Sequence, residues 1–525
     1  MTDRLILRSF QSAADLMVAI SDEMTILGAA TFPVAGANDR PLSNCVSGLV
    51  AAKAVSVVAQ RRIFDPDFTA EYSAYYSRQF ASVPRTCTRL HFFTRQCDAN
   101  EPVLDFIDAA PSSSYLGFVT LRPVARAPIG ASILSKGVCT GFVCSFDSFP
   151  VHIAGKEFAL DGTPFMQQDN AVAVCAQASI WMALRTMRKR EGDRAYDPAQ
   201  ITDAATRYFV NGRTRPNKGG LTIQQMAEAI RAAGYSPHAI PLGAVSNATG
   251  TTALNAAELL TARRHLHAYV ESEIPVLLAL HPPSGGHAVA VIGHTWNPTP
   301  TDAEAVLISF AKNGASTTVK HAISWVPEFI VHNDNTGPYQ TLPALSAPTI
   351  TYSLSCAAMA VPLLPADVFM TGEEALICGM GVLLDILEGL KKQKTPADVE
   401  AIAKKLVVRL LLAEKRRLRQ WAATTPMVAE LKQWLRTGDL PKRVWVFEIH
   451  TEVTYGAHGT GAQDTLVGLV LIDPTGDALD ANILMFQFNF PAIAGSPQGV
   501  MVTYEPTLTA VKTNDTGPIK PLRRP

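Results

Sequence analysis

Met166-Gln167-Gln168-Asp169-Asn170-Ala171-Val172-Ala173-Val174-Cys175-Ala176-Gln177-Ala178-Ser179-Ile180-Trp181 is the stretch that decides how this chain is read. Cys175 opens a run with helical spacing, through Ile180, Trp181, Leu184 and Met187 to the basic end Arg188-Lys189-Arg190. Cationic residues in a last turn suit the negative end of the helix dipole. N–H groups at a helix start carry partial positive charge, so a thiol placed there is expected to titrate low and supply a thiolate. A glutamine amide just upstream can donate to a developing oxyanion, beside the N–H of the cysteine itself. Gln167 and Gln168 compete for that role.

A nucleophilic sulfur needs a base. Downstream, Ser284-Gly285-Gly286-His287-Ala288-Val289-Ala290-Val291-Ile292-Gly293 puts a histidine at the first position of an apolar strand. Glycines before it let a substrate or another backbone come close. Further on, Phe329-Ile330-Val331-His332-Asn333-Asp334-Asn335 is a polar cluster at a strand end, where Asp334 or Asn333 can accept from the imidazole.

In this order, a glutamine, a cysteine at a helix start, Gly-Gly-His opening a strand and an Asp before the Gly337-Pro338 turn resemble the papain superfamily of cysteine peptidases. The nearest branch includes the bacterial peptidases that cleave double-glycine leader peptides. Gly219-Gly220-Leu221-Thr222 at a helix start and Ile274-Pro275-Val276-Leu277-Leu278 before the Gly-Gly-His fit as well. The resemblance covers about residues 165–340 and implies Cys175 as nucleophile, His287 as general base, Asp334 as its orienter and Gln168 as oxyanion donor. Ala176 stands where that branch usually has Gly, and the Gln-to-Cys spacing is about one residue longer. Hydrolysis of a peptide or isopeptide bond is the expected activity. Acyl transfer, deamidation and an inert binding module are the alternatives.

Around this centre, the 525 residues suggest three domains. The expected division is a mixed α/β region at 1–150, a papain-like α+β domain at 151–345 with the cysteine helix packed on an antiparallel sheet carrying His287, and an α+β region at 346–525. The flanking regions are expected to dock a partner or cover the cleft. Forty-six basic residues balance 46 acidic ones, which gives no reason to expect a nucleic-acid partner. The most apolar stretch, Ala375 to Leu384, is too short for a bilayer. Eight scattered cysteines without a CxxC pair argue against a disulfide framework, and a reducing, cytoplasmic setting is expected.

No cofactor and no metal is expected. Glu448, His450 and Glu452 alternate on an expected strand and read as its solvated face. His265 and His267 lack the i, i+4 spacing of a helical zinc pair. The odd spacing of His294 from His287 places it on the opposite strand face. Arg122, Arg126 and Phe118 read as structural. Lys415–Trp421 reads as a solvated basic end of one long helix over Asp398–Trp421. Helices are also expected over Ala13–Met24 and Asn44–Gln60, a flexible turn at Gly456, Gly459 and Gly461, a boundary at Thr341–Pro348 and a poorly ordered tail from Thr507.

Overall fold

The computed structural model describes residues 4–28, 40–124, 126–169, 174–210, 212–216, 219–345, 351–427, 429–457, 465–476, 482–489, 500–504, 511–513 and 519–522. Residues 346–348 of the expected boundary, Gly459 and Gly461 of the expected turn, and most of the expected tail lie outside them.

The strand His287–His294 has every residue buried, because helices cover both of its faces. Ala288, Ala290 and Ile292 pack in one core with the helix Cys175–Glu191, and Val289 and Val291 in another with the helix Ala256–Glu271. Such a two-sided environment explains the unbroken apolar run. The strand pairs with Val276–Leu280 on one side and Glu328–Asn333 on the other, both antiparallel. Those strands, with Ala357–Pro365, Gly337–Pro343, Ile240–Pro241 and Tyr235–Pro237, which pairs with Ala357–Pro365, belong to the central sheet. The short strand Phe142–Val143 joins it through Gly293 and His294. Its approach requires glycine: a Cβ on Gly293 would stand 2.0 Å from the Phe142 carbonyl oxygen.

A seven-stranded antiparallel sheet from the first 165 residues lies before the central sheet in sequence, and an eight-stranded sheet built mainly from the last 120 lies after it. The fold class is therefore α+β, with helices and three antiparallel-dominated sheets. The sheets interleave along the chain. The hairpin Leu307–Lys312 and Ala315–His321 belongs to the last sheet, while Ala357–Pro365 belongs to the central one. Phe10, Leu49 and Leu90 share a core with Trp181, Ala288 and Leu363, so the first region is part of the body that holds the cysteine helix.

Several expected elements differ. Asp398–Trp421 is not one helix: Pro396–Ala403 and Lys415–Thr424 are helical, and Leu406–Glu414 between them is a strand. Leu406-Val407-Val408-Arg409-Leu410-Leu411-Leu412 is buried on both faces in the sheet interior, and such a run carries no period that separates strand from helix. Likewise Asn44–Gln60 divides into the end of the helix Arg40–Ala51 and the start of the strand Ser56–Ile63. Glu448 and His450 are fully buried instead of solvated, because Glu448 stands opposite Arg409 in the strand register and ion-pairs with it. A register shift between Val291 and Gly293 breaks the parity on which the face assigned to His294 relied.

Candidate active site

Helix Cys175–Glu191 starts without a side-chain cap, its N-cap being Val174, and ends on Gly192 in the left-handed conformation. One turn on, Ser179 donates to the Ala288 carbonyl at 3.0 Å, which docks the helix start beside the start of the His287 strand. The Ala288 N–H, together with those of Ala176 and Cys175 itself, points at the Cys175 sulfur.

Those donors do not win. Burial, reinforced by the negative charge of Asp334, pushes the Cys175 thiol up to about 11 against the lowering pull of the N–H groups. The low-titrating thiol expected from a helix start is thus not what the resting site holds. At neutral pH the sulfur is protonated.

His287 is buried, and burial lowers its pKa, opposed by its hydrogen bond to Asn333. Nε2 lies 2.8 Å from Asn333 Oδ1. That atom also accepts the Asn335 backbone N–H at 2.9 Å, so it is an oxygen and Nε2 must carry the proton. Nδ1 is left as the basic nitrogen. It faces Asn335 Nδ2 at 3.3 Å, and Asn335 Oδ1 accepts from Gln168 Nε2 at 2.8 Å. Asn335 Nδ2 also donates to Tyr352 Oη at 3.2 Å, and the Tyr352 ring lies 5.0 Å from that of His287.

Asp334 sits further from the imidazole, its Oδ1 3.5 Å from Nε2. Both its carboxyl oxygens are buried with no side-chain hydrogen-bond partner among the described residues, and burial raises its pKa to about 8 against the lowering pull of its own backbone N–H. The two glutamines separate clearly. Gln167 turns its side-chain carbonyl to the Ile129 N–H at 3.3 Å, whereas Gln168 reaches the His287 network.

Residues far upstream hold these groups. Buried Arg122 pairs with Glu71 at 2.8 Å and donates to the Gln167 backbone carbonyl, and Tyr76 donates to Asp169 at 2.7 Å, which anchors the strand end that presents Gln168. Asn44 donates to the Thr336 carbonyl at 2.7 Å and secures the turn after Asn335. The turn closes on Gly337 at φ +120°, where a Cβ would press within 3.1 Å of the Pro41 carbonyl oxygen. Asn335 lay in the polar cluster visible in the sequence, but nothing there pointed to Tyr352 or Asn44.

No protein-family model and no curated protein matches this chain.

Proposed function

We propose that this protein is a cysteine peptidase whose papain-like centre, residues 151–345, cleaves a peptide or isopeptide bond in a protein or peptide substrate. The observation that carries this reading is the His287–Asn333 hydrogen bond, which leaves Nδ1 basic on a residue adjacent to the Ala288 N–H that faces the Cys175 sulfur. In the proposed sequence a substrate displaces the Asn335 amide from Nδ1. Nδ1 takes the thiol proton as Sγ attacks the carbonyl carbon. The Cys175 N–H and Gln168 Nε2 donate to the oxyanion. Nδ1–H then protonates the leaving amine, and the acyl group remains as a thioester. Nδ1 next deprotonates a water that attacks the thioester, and carboxylic acid and thiol are released. Asn333 fixes the imidazole tautomer, and the Asp334 carboxyl, kept mostly protonated at neutral pH by burial, lies beside Nε2.

No helix among the described residues is long and apolar enough to cross a membrane. None of the eight cysteines forms a disulfide among the described residues, which supports a reducing, cytoplasmic setting. The raised Cys175 thiol favours a second reading, a papain-like binding module that performs no chemistry. Incubation with a mixed peptide library, with and without an added primary amine, followed by mass spectrometry of the products, separates these readings. Cleaved peptides absent with Cys175→Ala support the peptidase. Amine-capped products support acyl transfer, and an unchanged library supports the binding module.

A further inference from the structure

Cys144 Sγ, a carboxylate oxygen of Glu271 and a ring nitrogen of His294 lie within 4.8 Å of one another, all three residues buried. They come from the end of the short strand Phe142–Val143, the last turn of the helix Ala256–Glu271 and the end of the strand His287–His294. Their partners define which atoms face the centre. His294 Nδ1 donates to the Thr295 carbonyl at 2.9 Å and leaves Nε2 inward, the tautomer that a backbone acceptor imposes on a metal-binding histidine. Glu271 Oε2 is held by Arg409 Nε at 2.8 Å, so Oε1 faces Nε2 of His294 at 2.6 Å. Arg409 is itself held by Glu448 at 2.6 Å.

One turn before Glu271, His267 is fully buried, and neither ring nitrogen has a hydrogen-bond partner among the described residues. Its Nε2 stands 3.8 Å from Glu271 Oε1. A buried imidazole unsatisfied at both nitrogens is costly and marks an absent partner. We infer that Cys144, Glu271 and His294 bind a divalent transition metal of zinc type in the core beneath the helix Ala256–Glu271, with His267, which stands just outside their cluster, moving in as the fourth ligand.

Two nitrogens, a thiolate and a carboxylate oxygen form a donor set that suits zinc. With bonds of about 2.0–2.3 Å, two ligands on one tetrahedral ion stand roughly 3.3–3.8 Å apart. The His267–Glu271 separation already matches. The 2.6 Å between His294 and Glu271 is a charge-assisted hydrogen bond whose proton the metal would replace, opening the pair by about 1 Å. Charge also fits: two carboxylates against one guanidinium leave one negative charge, a Cys144 thiolate adds another, and a divalent cation balances both. Glu271 also lines a cavity of about 460 Å³ with Ser272, Leu412 and Arg443. Four protein ligands leave no open position, so the role is structural, tying three elements together beside the Cys175 domain core.

The test uses the full-length chain, stripped with a chelator and titrated with Co²⁺ and then Zn²⁺, read by absorption spectroscopy, by metal content and by thermal unfolding. The expected result is one ion per chain, a thiolate-to-cobalt charge-transfer band and a higher unfolding temperature with zinc. Cys144→Ser should abolish the band, His267→Gln should weaken binding on the order of 10–100-fold, and Cys175→Ala should change neither. The His267 variant keeps the test decisive if the Cys144 variant does not fold. A folded protein that binds neither ion overturns the inference, as does a band lost in Cys175→Ala and kept in Cys144→Ser.

Discussion

His287 Nε2 and Asn333 Oδ1 lie 2.8 Å apart, and the Asn335 N–H on the same oxygen fixes the direction of that bond. On this arrangement Asn333 is the residue that sets the tautomer. Asn333→Ala should lower kcat roughly 10–100-fold with little change in KM, since general-base efficiency contributes about 10²–10⁴-fold and only part of it is lost with the orienting partner. Steady-state kinetics on any substrate found by the library screen checks this.

Asp334 behaves differently. Its carboxyl titrates near 8 in the fold because burial disfavours the anion, well above its ordinary value of 3.8. A carboxyl raised on folding contributes stability that is fully present below the unfolded pKa and is lost as pH rises through the folded one. Asp334→Asn should therefore match the wild type in unfolding temperature below about pH 4 and exceed it increasingly up to about pH 8. The substitution also removes a charge that raises the Cys175 thiol. The pH profile for alkylation of Cys175 should move to lower pH.

The pH dependence of the wild type follows from the same groups. In the proposed mechanism His287 acts as the base when neutral, and burial lowers its pKa, so the acidic limb of kcat/KM should fall below the ordinary histidine value of 6.5. The thiol titrates at about 11, so no plateau of preformed thiolate should appear near neutrality. A stopped-assay pH series on one substrate measures both limbs.

Asn44 tests the link between the first region and the site. Asn44→Ala removes its donation to the Thr336 carbonyl and should cost about 1 kcal/mol of stability, while lowering kcat more than this loss explains because the turn carrying Asn333 and Asn335 loosens. Chemical denaturation and kinetics on the same preparation distinguish the two effects.

In the last sheet, Arg409 stands between Glu271 and Glu448 with all three buried. Arg409→Leu removes the guanidinium shared by two buried carboxylates and should destabilise the protein by roughly 3–5 kcal/mol. Urea unfolding is the measurement.

What the sequence disclosed of this architecture follows the periodic and chemically marked stretches. Cys175–Glu191 was legible as a helix because its apolar spacing and its basic last turn agree. His287 at a strand start was legible from the glycines before an apolar run. Leu406–Glu414 was not, because a strand buried on both faces has no alternation to read. The neighbourhood of Asn333, Asp334 and Asn335 was visible as a cluster. Which of them meets the imidazole depends on the turn held by Asn44, a contact across 292 positions. The raised Cys175 thiol depends on how deeply tertiary packing buries the helix start, and local sequence does not encode that depth.

The most direct measurement is covalent labelling of the full-length chain with a peptidyl electrophile directed at cysteine peptidases, with the adduct located by mass spectrometry in wild type, Cys175→Ala, His287→Ala and Asn333→Ala. The expected result is selective modification of Cys175 that is lost in the His287 variant and slowed in the Asn333 variant. A folded protein in which Cys175 stays unmodified, or in which its labelling is indifferent to His287, would contradict a thiol–imidazole catalytic pair.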